Sequence, residues 1–152
     1  MAESSANAIQ NVNPGEAMVF TETPVPCRRG FVRHRDGTGN FMLSGWTPGR
    51  RCRCSRNATY LVEFGANIAI PEGETVGPIS MAIQLGGATV PATTMIVTPA
   101  AANEFFNISC AVNVEVWGDC CENLSVCNTS DQAIQVQNAN IIFSRPDLAI
   151  TY

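Results

Sequence analysis

Residues 105–116, FFNISCAVNVEV, alternate with a strict period of two. The even positions Phe106, Ile108, Cys110, Val112, Val114 and Val116 are apolar, and Asn107, Ser109, Ala111, Asn113 and Glu115 between them are polar or small. That period sets one face against a core and the other toward water. A helix would scatter the same apolar side chains around its circumference. The stretch therefore reads as a long antiparallel strand.

Two earlier stretches carry the same signature. Over 60–70 the apolar positions are Tyr60, Val62, Phe64, Ala66, Ile68 and Ile70, with only Leu61 and Ala69 breaking the alternation. Over 79–85, Ile79, Met81, Ile83 and Leu85 alternate with Ser80, Ala82 and Gln84. Three such alternations, with no amphipathic helix among them, predict an all-β domain. A chain of 152 residues is one domain, long enough to bury a sizeable core. Its 12 glycines and 9 prolines suit a fold of many turns.

In chain order, residues 1–13 are polar and small and read as a flexible N-terminal arm. A domain over 14–145 and a C-terminal tail over 146–152 follow. A first short strand is expected at 17–21, and 23–29, with two prolines, reads as irregular. Short strands at 31–34 and 40–43 flank the turn Asp36-Gly37-Thr38-Gly39. Residues 45–56 read as a loop, Gly86-Gly87 as a two-residue hairpin turn, and 124–128 as a short strand. In the last strand the apolar parity switches from Ile134 and Val136 to Ala139, Ile141 and Phe143. One skipped residue near Asn138, a β-bulge, restores a single buried face. Eight to ten strands of this kind fit a double-sheet antiparallel jelly-roll β-sandwich.

Charge is unevenly placed. The chain has no Lys, and eight of its nine arginines (Arg28, Arg29, Arg33, Arg35, Arg50, Arg51, Arg53 and Arg56) fall in one segment whose only acid is Asp36. That segment carries about +7 and the remainder about −11. This predicts a basic surface suited to an acidic partner; the competing reading pairs these arginines with carboxylates of the chain or of a neighbouring subunit. Phe31, Phe41 and Trp46 lie among them, as on a base-stacking surface. The pI of about 4.9 argues against nucleic acid and leaves an acidic protein lattice as the expected partner.

The seven cysteines divide into Cys110, with the parity of a core thiol, and six others: Cys27, Cys52, Cys54, Cys120, Cys121 and Cys127. These six are placed on loops and a strand edge, where disulfides and free thiols are both open readings. A Zn²⁺ site of Cys27, Cys52, Cys54 and His34 is the weaker third, since C-x-C departs from the usual spacing and arginines flank it. No metal or cofactor is expected. His34, the only histidine, reads as a surface strand residue, and no local signature marks a nucleophile, so the chain is expected not to be an enzyme. Four Asn-x-Ser/Thr sequons, at Asn57, Asn107, Asn123 and Asn128, would matter only in a eukaryotic secretory pathway. Residues 1–15 contain no basic residue and no apolar run, so no secretory signal is expected, and no apolar stretch approaches the roughly 20 residues that span a bilayer. Any disulfides would then form after cell lysis, since the cytosol is reducing.

The order of these pieces resembles a known family. Residues 13–15 before 17–20, 34–39 with 41–43, the strand 58–64, then 79–87, 106–116, and 124–128 before 141–145 are similar to the tumour-necrosis-factor-like jelly roll. That fold is shared with complement globular heads and with tip domains of bacterial collagen-like surface proteins. Residues 66–78, 91–99 and 135–145 further resemble small trimeric structural proteins of phages and prophages of Gram-positive gut bacteria. The resemblance implies a homotrimer that decorates a virion, bound to the major capsid protein or another virion protein and made in the host bacterial cytoplasm. The trimer would bury Leu61, Ala69, Ala111 and Ile142, and the arm, the arginine loops or the tail would grip the shell. A receptor- or glycan-binding tip of a phage fibre or bacterial surface protein is the alternative implication. The chain lacks the Gly-X-Y repeat of collagen-like proteins.

Overall fold

The computed structural model describes residues 1–46, 57–118 and 121–148. The described residues form twelve strands: β1 (Ala2–Ala6), β2 (Gln10–Val12), β3 (Glu22–Val25), β4 (Val32–His34), β5 (Phe41–Ser44), β6 (Ala58–Ala69), β7 (Ile79–Leu85), β8 (Ala88–Thr89), β9 (Met95–Val97), β10 (Phe106–Val116), β11 (Cys121–Asn128) and β12 (Ile134–Ser144). They make two antiparallel sheets. Sheet A runs β10-β6-β12-β1-β3, with β2 also on β12; sheet B runs β4-β5-β11-β7-β8, with β9 also on β7. The rest is turns and two short 3-10 segments, Pro91–Thr93 and Pro146–Leu148. The all-β jelly-roll sandwich expected from the alternations is the fold.

The three alternating stretches are β6, β7 and β10. β6 and β10 pair along their whole length, from Ala58 opposite Val116 to Ile68 opposite Phe106. Even residues face even residues, so Tyr60 meets Val114 and Val62 meets Val112, and both strands turn one apolar face inward. Because β10 is the edge of sheet A, Cys110 and Val112 are only partly buried although they face the core. The bulge near Asn138 is present. The β6–β12 register shifts between Gln137 and Asn140, and Asn138 takes a φ of 51°. With it, Ile134, Val136, Ala139, Ile141 and Phe143 are all buried. The Gly86-Gly87 turn has φ of 59° and 82°, the left-handed pair a tight hairpin requires.

Aromatic side chains tie the sheets together. Phe41 of sheet B lies 5.1 Å from Phe20 and 4.9 Å from Phe143 of sheet A, ring centre to ring centre. All three are fully buried, each a contribution of about 1.5–3 kcal/mol.

Several expectations need correction. Residues 1–13 are not a flexible arm. β1 lies inside sheet A between β12 and β3, and β2 pairs β12 from Val12 opposite Ile134 to Gln10 opposite Val136. Ala2, Ser4 and Ala6 are buried on one side of β1, an alternation of small residues that hydropathy does not register. Residues 17–21 are extended but form only single bridges, Ala17 to Cys127 and Phe20 to Thr38. Part of 23–29, read as irregular, is β3, an edge strand that tolerates Pro24 because its outer side needs no ladder donor. The short strand read at 124–128 begins earlier, at Cys121. The tail is described only to Leu148.

Candidate docking surfaces

The described arginines of the segment lie in and around β4, the terminal described strand of sheet B. Arg28 and Arg29 lie in the connection from β3 to β4, Arg33 points outward from β4, and Arg35 lies in the turn to β5. All four are exposed, and none makes an ion pair or side-chain hydrogen bond among the described residues. The reading that pairs them with the chain's own carboxylates therefore finds no support at these four. Asp36, the acid inside the segment, accepts a hydrogen bond from Thr23 Oγ1 at 2.6 Å. Arg50, Arg51, Arg53 and Arg56 lie outside the described residues.

The ninth arginine, which composition did not single out, has the opposite environment. The Arg145 side chain is 1% exposed, and its Nε and Nη2 fork onto the two carboxylate oxygens of Asp147 at 2.8 and 2.7 Å. The guanidinium lies 4.9 Å from the Tyr60 ring centre and 5.3 Å from that of Phe31, and Nη1 donates to the Trp46 carbonyl at 3.3 Å. The Tyr60 hydroxyl faces the Ser44 carbonyl at 2.6 Å and the Phe31 carbonyl at 2.9 Å. Burial raises the Tyr60 pKa, against the opposing pull of Arg145. This clasp fixes the start of β6, the end of β12, the approach to β4 and the end of β5 at one end of the sandwich. Trp46 and Trp117, 61% and 68% exposed, stand at that same end. Arg145 was legible only as the polar residue closing an apolar strand beside Pro146-Asp147.

The outward face of sheet A holds no Arg or Lys among its described, paired residues. Its cross-strand rows are Asn113, Leu61 and Ser144; Ala111, Glu63, Ile142 and Glu3; Ser109, Gly65, Asn140 and Ser5; and Asn107, Asn67 and Gln137. Asn107 Nδ2 donates to Asn67 Oδ1 at 3.1 Å, tying one row together. Leu61, Ala111 and Ile142 lie on this face as expected, whereas Ala69 is fully buried within the chain and leaves the set of interface candidates.

His34 is not a surface side chain. It shares parity with Val32 and turns inward, 5% exposed, stacking on Phe41 at 4.3 Å. Nε2 donates to the Thr38 carbonyl at 3.0 Å; Nδ1 has no hydrogen-bond partner and stands 3.6 Å from Asp36 Oδ1. Among the described residues the ring contacts Thr38, Asp36, Phe20 and Phe41, an arrangement that couples the turn to the core. No cluster of three or more His, Cys, Asp or Glu side chains able to hold a metal occurs among the described residues.

Cys127, placed by sequence among loop and edge cysteines, is instead buried in the interior of sheet B, with Ser125 Oγ 3.4 Å from its sulfur. Burial raises its pKa, and that of Cys110. Such a thiol is poorly placed to bridge a loop cysteine. Cys27 is half-buried against the core and Cys121 is exposed; Cys52, Cys54 and Cys120 lie outside the described residues. A shallow depression of about 420 Å³ lies between the β6–β7 and β11–β12 connections, lined by Glu74, Thr75, Val76, Asp131 and Gln132 among others. Gln132 spans it, accepting from the Thr75 N–H at 3.1 Å and donating to the Thr75 carbonyl at 2.7 Å.

No protein-family model matches the chain, and no curated protein matches it. Solved structures do. The chain is similar to the globular domain of a zebrafish complement 1qA protein, at 9% identity and TM-score 0.59, covering 93% of this chain and 94% of that one. It is also similar to Eiger TNF from S. frugiperda, at 12% identity and TM-score 0.64, covering 94% of this chain and 90% of that one. At such identities the likeness concerns the fold, which is the tumour-necrosis-factor-like jelly roll.

Proposed function

We propose that the chain is a non-catalytic structural protein of a virion, a homotrimer that decorates a capsid by docking on an acidic shell. The observation that carries the reading is the set of exposed arginines, Arg28, Arg29, Arg33 and Arg35, without carboxylate partners among the described residues of an otherwise acidic chain. An unneutralised row of guanidinium groups on a rigid edge suits a partner that supplies the carboxylates. The outward face of sheet A, with Leu61, Ala111 and Ile142 among short polar side chains, is the surface for self-association. Three copies on one rigid body would multiply weak single contacts into stable attachment. The protein would be made in the bacterial cytoplasm and reside in the particle, with neither membrane nor nucleic acid as partner.

Quantifying the chain in purified particles tests this. Decoration predicts many copies per particle and release by salt, since exposed charge pairs weaken as the Debye length shortens. A few copies, or attachment indifferent to salt, contradicts it. A second reading, a receptor- or glycan-binding tip, is favoured by Trp46 and Trp117, whose exposed rings at one end of the sandwich suit stacking on sugars. It predicts few copies and saturable binding to cells or glycans that Trp46→Ala or Trp117→Ala abolishes.

A further inference from the structure

We propose that the free edge of β4 takes up an extended acidic polypeptide segment as an added strand. The inference rests on the docking reading above and names the chemistry of the partner at that surface.

Among the described residues β4 is the terminal strand of sheet B, and its one ladder is with β5. The Ser44 N–H donates to the Phe31 carbonyl at 2.8 Å, which makes Phe31 and Ser44 a hydrogen-bonded pair. Antiparallel ladders alternate, so Arg33 and Met42 form the next such pair. The main-chain N–H and C=O groups of Val32 and His34 then point away from β5; Val32 is 7% exposed as a whole residue, so the more open of the two positions is His34. His34 is partly exposed as a residue although its side chain is 5% exposed, so its exposure lies mainly in the main chain. Donors and acceptors such as these, unpaired among the described residues, are what an extended peptide pairs with.

The arginines flank those groups. Arg28 and Arg29 precede β4, Arg33 stands on its solvent face and Arg35 follows it. β4 itself is the three residues Val32–His34, about 10 Å of extended chain, and Arg28 and Arg29 sit in the turn that the Gly30 N–H closes on the Cys27 carbonyl. Asp36 is engaged by Thr23 and faces His34, so it neutralises none of them. The same charge that would repel the identical edge of a second copy admits a strand carrying carboxylates. A nucleic acid would answer the guanidinium groups but not the main-chain row, and the chain as a whole is acidic. The polypeptide is therefore the favoured occupant.

The test is fluorescence anisotropy of the full-length chain with a fluorescein-labelled peptide alternating Glu and Thr. Two controls accompany it: the same peptide N-methylated at alternate residues, and a single-stranded oligothymidylate. Saturable binding of the unmodified peptide is expected. It should weaken about tenfold or more in the chain carrying Arg33→Gln and Arg35→Gln, and again on N-methylation, which keeps charge but removes the pairing N–H groups. Equal binding of the methylated peptide would reduce the contact to bulk charge and overturn the proposal. So would tighter binding of oligothymidylate, or no binding of the peptide. Sedimentation of the same samples separates the two levels: loss of peptide binding with the trimer intact removes only the added strand, and a monomer removes the trimeric docking reading itself.

Discussion

Ala2 stands directly opposite Phe143 in an antiparallel ladder, so the first residues of the chain pair with the last strand of the sandwich. From there β1 runs to Ala6 opposite Ala139, with β3 on its other side. Both described chain ends consequently lie at the end of the sandwich that holds the Arg145 clasp.

Removing residues 1–6 should therefore destabilise the fold. Deletion strips a strand from within sheet A, leaving β3 without its ladder partner and β12 paired only with β6 and β2, at a cost of about 2–4 kcal/mol. Urea unfolding measures it. A change within about 0.5 kcal/mol would mean that these residues act as a dispensable arm.

Asn138 holds the bulge with a φ of 51°. Asn138→Gly should be neutral or slightly stabilising, because glycine takes that conformation freely. Asn138→Val should cost about 1–2 kcal/mol, since a β-branched side chain meets the backbone there. Thermal unfolding of the two variants gives the comparison; equal midpoints would show that the left-handed residue does not set the register.

Arg145→Leu should leave Asp147 without its fork and Tyr60 without its cation, costing about 3 kcal/mol. Arg145→Lys should recover part of this, because an ammonium group keeps the charge but cannot make the two-point contact. A lysine variant as stable as the original would show that charge alone closes the clasp.

Stability should fall in alkali. Burial raises the pKa of Cys110 and Cys127, and also that of Tyr60. Well below about pH 8.5 the thiols are protonated whether folded or unfolded, and the full stability is present. Above it the unfolded chain releases protons that the folded chain retains, so stability declines until the folded groups also ionise. Tyr60 adds to the decline above about pH 10. Urea midpoints measured from about pH 7 to about pH 10 should drop, and Cys127→Ala should flatten the thiol part of the slope. A midpoint that rises with pH would contradict this.

Much of the fold was legible because burial in a sheet writes itself as parity. β6, β7 and β10 follow from strict alternation, and the parity change between Val136 and Ala139 located the bulge. β1 escaped notice because Ala2, Ser4 and Ala6 bury by being small, which carries no hydropathy signal. His34 shared the parity of Val32, yet a polar residue beside a turn is ordinarily solvated, and only the Phe41 stack explains its burial. The site was less legible. The arginine run showed in composition, but whether each had a partner depends on contacts between distant strands. Cys127 was misplaced for the same reason: β11 is flanked by β5 and β7, an order that sequence proximity does not reveal.

The central claim is a rigid sandwich that works in threes, with the outward face of sheet A turned to its neighbours. Sedimentation equilibrium of the purified chain at micromolar concentration tests it most directly. The account predicts a species of three 16.3 kDa chains, dissociated by Ile142→Arg, which places a cation in the middle of that face. A monomer at that concentration, or a trimer that Ile142→Arg leaves intact, would contradict it.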